Sequence, residues 1–225
     1  MTDEKEKVKV SQRFFWLANT IFHQVVTVTV AFIAYVFVKN YDVSSRAFIH
    51  FFVTTFAYIP LMAEGFILFN ESNTWSLQVK RSLKGWVHGA LLTISLICVS
   101  IGIGVEIHYK NKSIHPVHFK SNHGKLGFIS WILCFCLALT GIITLYSSKL
   151  KIIIRPVTLK SIHLCLGLAC FAIGVGSLIL GLNYSHFRVT HNELLVTKTL
   201  ISIITIWSSL GAIMSLFNNL KSMFT

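Results

Sequence analysis

RAFIHFFVTTFAYIPLMAEGFILF, residues 46–69, is the stretch on which the fold turns. Past Arg46 it runs from Ala47 to Phe69 with Glu64 as its one charge. A helix needs about 20 consecutive apolar residues to cross a hydrocarbon core, and this run supplies them. Outward along the chain, runs of the same kind recur at Phe14–Val38, Gly85–Val105, Leu126–Ser148, Ser161–Ser185 and Thr199–Leu220. The 225 residues are 54% apolar and 12% charged, with a mean hydropathy of +0.68, too oily for a soluble domain of this size. Six spans predict an all-α membrane protein, a single transmembrane domain over 1–225 with its core at about 14–218. Only short tails and loops remain, so chemistry has to occur inside the bundle or at its two faces. The first run is about twice the length of a signal-peptide core and lacks a small-residue cleavage pattern, so it reads as a retained helix.

A formal charge of +12 in a soluble chain would suggest nucleic acid. Here the basic residues cluster at the ends of the apolar runs, where they meet lipid headgroups, so no nucleic-acid partner is expected. One side collects twelve of them: Lys5, Lys7, Lys9, Arg13, Lys80, Arg81, Lys84, Lys149, Lys151, Arg155, Lys160 and Lys221. The other collects six: Lys39, Arg46, Lys110, Lys112, Lys120 and Arg188. The positive-inside rule then places both termini in the cytoplasm. The sequons at Asn111 and Asn183 fall outside and the one at Asn70 inside, which adds little. The cysteines Cys98, Cys134, Cys136, Cys165 and Cys170 all lie within apolar runs and read as small packing residues.

The histidines carry the chemical signal. His50 follows Arg46 by four residues, His88 follows Lys84 by four, His123 follows Lys120 by three and His163 follows Lys160 by three. On a helix each basic group shares the face of its histidine, about one turn closer to water. Because consecutive spans alternate in direction, His50 and His123 share the outer depth, and His88 and His163 the cytoplasmic depth. The intervals of 73 and 75 residues fit one two-helix unit used twice. The result is a four-helix core, spans two to five, with two inward histidines at each end. Two imidazoles on opposing helices, without nearby carboxylates or thiolates, suit the axial positions of a haem iron. A zinc site would want three or four ligands. The reading is therefore two haem sites: His50 with His123, and His88 with His163. Arg46 and Lys120 are candidate partners for the outer propionates. Gly127 and Gly167, each four residues after a histidine, and Gly85 and Gly89 beside His88 are expected to make room for the macrocycle. His23 has no partner at its depth and reads as a hydrogen-bonded residue. Glu64, the one acidic residue well inside a span, must be paired or neutral, with a proton-linked role near the inner haem as the bolder reading.

At these residues the chain resembles the cytochrome b561 family, six-helix membrane electron carriers, and most of all its short animal branch. The resemblance rests on His50, His88, His123 and His163, on the segment from His50 to Glu64 and Phe69, on His123-Gly124, and on Lys160 to Gly167. It implies two non-covalent b haems, one near each face, reduction by cytoplasmic ascorbate and transfer of one electron to monodehydroascorbate or ferric iron on the far side. It also points to an endomembrane, endoplasmic reticulum or vesicle, in preference to the plasma membrane; homodimer formation is left open. Ascorbate is an anion, and a vestibule with Lys84 and Lys160, guided by Arg81 and Arg155 and flanked by Lys80, Lys149 and Lys151, would concentrate it beside the inner haem. On the outer side His108, His115, His118, His186 and His191 lie in or beside loops, with His118 the preferred substrate residue. The competing class is a haem-free, histidine-dependent transporter of protons or divalent metal, which would combine its histidines with acidic residues along one path.

Overall fold

The computed structural model of the chain describes residues 2–115, 117–147, 155–184, 187 and 189–224, and the side chains of all of these except 2–9, 11 and 224. Lys149, Lys151, His186, Arg188 and Ser185 of the Asn183 sequon lie outside the described residues, as do the side chains of Lys5, Lys7 and Lys9. Among the described residues all regular structure is helical. Six helical segments are long and apolar enough to cross a membrane: Gln12–Asn40, Arg46–Ile67, Arg81–Lys110, Asn122–Tyr146, Pro156–Gly181 and His191–Met223, here the first to sixth spans. The third extends past the charge-free run that ends at Val105, so Glu106 lies inside it and Glu64 is not the only acid within a span.

Local chemistry explains the starts. Ser45 and Ser121 precede the second and fourth spans in extended conformation, and their hydroxyls accept from the amides of Phe48 and Gly124 at 3.3 and 3.1 Å. The fifth span opens on Pro156, whose missing amide hydrogen costs nothing in a first turn. Thr190 and Glu193 form a reciprocal capping box before the sixth: the Thr190 amide donates to Glu193 Oε2 at 2.8 Å, and the Glu193 amide to Thr190 Oγ1 at 3.3 Å.

The second span packs chiefly on the third, and the fourth on the fifth. The sixth lies against the fifth and the end of the second, while the first lies against the second and sixth. Spans two to five thus form the core and the outer two clamp it. Leu17, Val28, Tyr35, Leu139, Ile142 and Phe217 are exposed on the outside, suited to lipid. Ser95, Ser130, Ser177, Gly102, Gly174 and Gly181 are buried, and their small size lets the backbones approach closely.

The second span is not a uniform α-helix. Between Arg46–Phe56 and Ala63–Ile67 it widens into a π turn over Ala57–Met62 that contains Pro60, which has no amide hydrogen to give the ladder. Ser95 of the third span donates to the Ala57 carbonyl at 3.1 Å. Tyr58, carried on this turn, reaches across the core to Ser130 at 2.8 Å, and Ser130 Oγ lies 2.9 Å from the Cys170 carbonyl, to which it donates. Gly174 is obligatory beside that ring: a methyl there would sit 2.0 Å from Tyr58 Cε1 and 2.7 Å from Ser130 Oγ. The hydrogen bonds hold both side chains in place. Gly174→Ala should therefore cost about 1–3 kcal/mol by overpacking and lower the melting temperature of the detergent-solubilised protein. Gly176→Ala, whose methyl would meet only Leu126 Cδ1 at 4.0 Å, should leave that temperature unchanged.

Candidate functional site

Each of the four core histidines is half-buried, and each has its Nδ1 tied to the neighbouring helix. His50 Nδ1 donates to the Gly102 carbonyl at 2.9 Å, and His88 Nδ1 to the Gly65 carbonyl at 3.0 Å. His123 Nδ1 donates to the Ser177 carbonyl at 2.8 Å, with Ser177 Oγ at 3.1 Å. His163 Nδ1 donates to Thr140 Oγ1 at 3.1 Å, whose own hydrogen goes to the Leu137 carbonyl at 3.3 Å. Carbonyls only accept, so the protons of His50, His88 and His123 are on Nδ1, and the Thr140 hydroxyl, its own hydrogen given to Leu137, places that of His163 there as well; each Nε2 lone pair is left to bind a metal.

The tethers are reciprocal. The second span holds the histidine of the third and the third holds that of the second; the fourth and fifth spans do the same for each other. Every core helix thus carries one imidazole near one end and an acceptor near the other. Gly102 lies fourteen residues beyond His88 on one continuous helix, and Ser177 fourteen beyond His163, or about 21 Å at 1.5 Å per residue.

Across the bundle the rings meet in pairs. His50 and His123 have centroids 5.8 Å apart with planes at 89°, and His88 and His163 have centroids 6.3 Å apart at 71°. Two imidazoles bound trans to one metal at about 2 Å per bond have centroids roughly 6 Å apart. The donor sets, two neutral nitrogens each and free Nε2 atoms, therefore fit the axial positions of a haem. Glycines on the partner helices make the close approaches of two of the rings possible. A methyl at Gly181 would come 3.0 Å from His123 Cε1, and one at Gly141 3.3 Å from His163 Cε1. Gly85 and Gly89 face open space, whereas Gly127 and Gly167 have Ser177 Oγ at 3.1 Å and a Phe66 ring atom at 3.6 Å.

Around the His50–His123 pair opens a cavity of about 410 Å³, lined by Arg46, Glu106, Lys110, His118, Lys120 and Tyr58 among others. Arg46 is already engaged: its Nη1 lies 2.8 and 2.9 Å from the two Glu106 oxygens, and its guanidinium stacks 3.8 Å over Tyr109. Lys110, which spacing from the histidines does not mark, reaches this cavity together with Lys120. His118 also lines it, with Nε2 2.8 Å from Asn111 Oδ1. His108 lies in the last turn of the third span, His191 opens the sixth, and His115 is exposed in the loop. At the other face Arg81 opens the third span and Arg155 caps the fifth; both are exposed. Lys84 is half-buried and Lys160 exposed.

The model of the family of eukaryotic cytochrome b561 matches residues 49–188, which takes in all four histidines and both pairings. The chain belongs to the cytochrome b561 family. With it goes b-type haem as the cofactor of this six-helix membrane fold. Among curated proteins the chain is 26% identical over 141 residues to the transmembrane reductase CYB561D2 of Mus musculus, covering 63% of each. It is 26% identical over 133 residues to the protein of that name from Homo sapiens, covering 59% of each. The match to that of Bos taurus is again 26% over 141 residues. The aligned part spans about 63% of the length of the first of these relatives. No solved structure matches the chain.

Proposed function

We propose that this cytochrome b561 carries single electrons across a membrane through two b haems, each held by two histidines: His50 with His123 at the outer face, and His88 with His163 at the cytoplasmic face. The interlocked histidine pairs carry the reading, because they supply two-nitrogen sites at two depths on shared helices. The haems, when bound, supply reversible one-electron storage at each depth. The protein's own part is positional. The Nδ1 tethers fix ring orientation and leave Nε2 as ligand, while the apolar bundle keeps water from the space between the sites. With about 20 Å between the histidine pairs along the helices, no mobile carrier is needed.

Cytoplasmic ascorbate is the proposed donor, drawn by Lys84, Lys160, Arg81 and Arg155; the acceptor is monodehydroascorbate or ferric iron beside His118 and Lys120. The excess of basic residues on one side supports cytoplasmic termini, and an endomembrane is the proposed location. Arg46 acts at the outer site by holding Glu106 as a pair, and Lys110 and Lys120 are the basic groups left for the propionates.

Purified full-length protein, expressed with adequate haem, tests this. It should show low-spin haem absorbance with two components, both reduced by ascorbate. A haem-free preparation would turn the assignment toward a histidine-dependent proton or metal transporter. The tether is separately testable: Thr140→Val removes the acceptor of His163 and should weaken inner haem retention about 10- to 100-fold, the usual cost of losing the partner of a ligating histidine. Titration of haem into the apoprotein measures this, and the outer component should be unaffected.

A further inference from the structure

A second pair of ionisable side chains lies beside the cytoplasmic site. His23 of the first span places Nδ1 2.6 Å from Glu64 Oε1 on the second, and both side chains are about one-quarter to one-fifth exposed, at 24% and 21%. Trp75 Nε1 donates to the other Glu64 oxygen at 3.1 Å. The far side of the imidazole faces Asn73 Oδ1 at 3.1 Å, and Asn73 Nδ2 donates in turn to the Ile67 carbonyl at 3.4 Å. That chain fixes the protons. An amide oxygen only accepts, so His23 Nε2 carries a hydrogen. Nδ1 and Oε1 must then share a further one, because two lone pairs at 2.6 Å would repel. The geometry is that of a pair holding one exchangeable proton.

The pair has both an opening toward an interhelical loop and a link to the inner site. An open groove of about 350 Å³, lined by Thr20, His23, Gln24, Thr27, Val28 and Thr74, runs from it to the loop between the second and third spans. Glu64 is bonded to Gly65, the residue whose carbonyl receives the His88 Nδ1 hydrogen at 3.0 Å. One peptide unit thus separates the carboxyl-bearing residue from the tether of an inner ligand. The facing groups from each packed element are few. The third span sets His88 against the Gly65 carbonyl, with Lys84 half-buried one turn earlier; the loop presents neutral Asn73 and Trp75 and also carries the exposed Glu71; the sixth has neutral Trp207, which donates to Asn19 of the first span at 3.0 Å. Arg13, Lys80 and Arg81 lie exposed on the same elements, and none of these basic groups forms an ion pair with Glu64.

We infer that the His23–Glu64 pair is the proton acceptor coupled to reduction of the cytoplasmic haem, a role that rests on the two-haem reading above. An electron arriving at the inner site adds one negative charge in a medium that screens poorly, which raises the affinity of the nearby pair for a proton. The pair as described, with a proton between Nδ1 and Oε1, is the form that accompanies the reduced inner site; with that site oxidised the proton is in cytoplasmic water and the two atoms separate. The ascorbate monoanion gives one electron to the inner site and its proton to cytoplasmic water, and one proton from that water binds between Nδ1 and Oε1. When the electron moves on to the outer site, the proton returns. Charge and atoms balance at each turnover.

The test is a spectroscopic redox titration of the full-length holoprotein between about pH 6 and about pH 8, the range in which a histidine-linked pair exchanges its proton. The inner component should fall in potential as pH rises, by up to about 59 mV for a tenfold drop in proton activity. The outer component should stay flat. Glu64→Gln and His23→Gln should each remove the inner slope, while Glu64→Asp, which keeps a carboxyl, should retain most of it. A flat inner component in wild type, or an unchanged slope in Glu64→Gln, overturns the inference. If Glu64→Gln fails to hold the inner haem, the wild-type slope and His23→Gln decide it. Preparations without haem would instead defeat the two-haem reading, an outcome distinct from haem that titrates without protons.

Discussion

Replacing His50 or His123 by alanine is expected to abolish one of two haem components and to spare the other, and replacing His88 or His163 to do the converse. The expectation follows from the ring pairs, 5.8 Å apart at one end and 6.3 Å at the other, with no histidine shared between them. Removing one axial nitrogen leaves a single protein bond to the metal and an apolar gap where the ring stood. Each variant should therefore lose about half of the bound haem, as read by haem content per chain and by the low-spin signals of the remaining centre. The reciprocal tethers make a further demand. His88→Ala leaves Gly102 and its hydrogen bond to His50 in place, so the outer centre should keep its spectrum even though both residues share a helix. If His50→Ala and His88→Ala removed the same component, the pairing by depth would be wrong.

A comparably large effect is expected at the face proposed to be cytoplasmic. Lys84 precedes His88 by one turn on the third span, and Lys160 precedes His163 by nearly one turn on the fifth. Both stand in the first turns of helices that start at the same face, the face proposed to meet the anionic donor. Lys84→Ala with Lys160→Ala should slow reduction by ascorbate by about tenfold or more, since local positive charge raises encounter rates by such factors. Reduction by a neutral small reductant should be unchanged, and both haems should remain bound. Added salt should slow the ascorbate reaction of the wild type and have less effect on the double variant, because screening acts on exposed charges. Equal slowing with both reductants would indicate damaged haem geometry. Unchanged ascorbate kinetics would remove these lysines from the donor site.

The helices and the four histidines were legible in the chain because both rest on one-dimensional signals. Charge-free runs announce spans, and a basic residue three or four positions before a histidine announces a shared face near a helix start. The tethers were not legible. Gly102, Gly65, Ser177 and Thr140 receive the imidazole hydrogens only because of how neighbouring helices are rotated, and three of the four accept through the main chain, whose chemistry no residue type reveals. The glycines behind His123 and His163 escaped for the same reason: Gly181 and Gly141 belong to partner helices and bear no fixed spacing to the ligands. Arg46 illustrates competition. Its spacing from His50 is that of a propionate partner, yet Glu106, just past the apolar run of the third span, takes its guanidinium at 2.8 Å. Glu64 was expected to be paired or neutral and His23 to be hydrogen-bonded, but that they meet each other depends on the first span lying against the second, which periodicity does not encode.

Transfer across the bilayer is tested most directly in sealed vesicles that hold a membrane-impermeant ferric chelate inside, with the protein oriented so that its cytoplasmic face meets ascorbate outside. Wild-type protein should reduce the trapped iron at a rate set by the external ascorbate. His88→Ala should block entry of electrons, and His50→Ala should allow reduction of the inner haem while leaving the trapped iron oxidised. Haem-loaded wild type that leaves the trapped chelate ferric, or trapped iron reduced equally well through His50→Ala, would contradict electron transfer through the two histidine pairs.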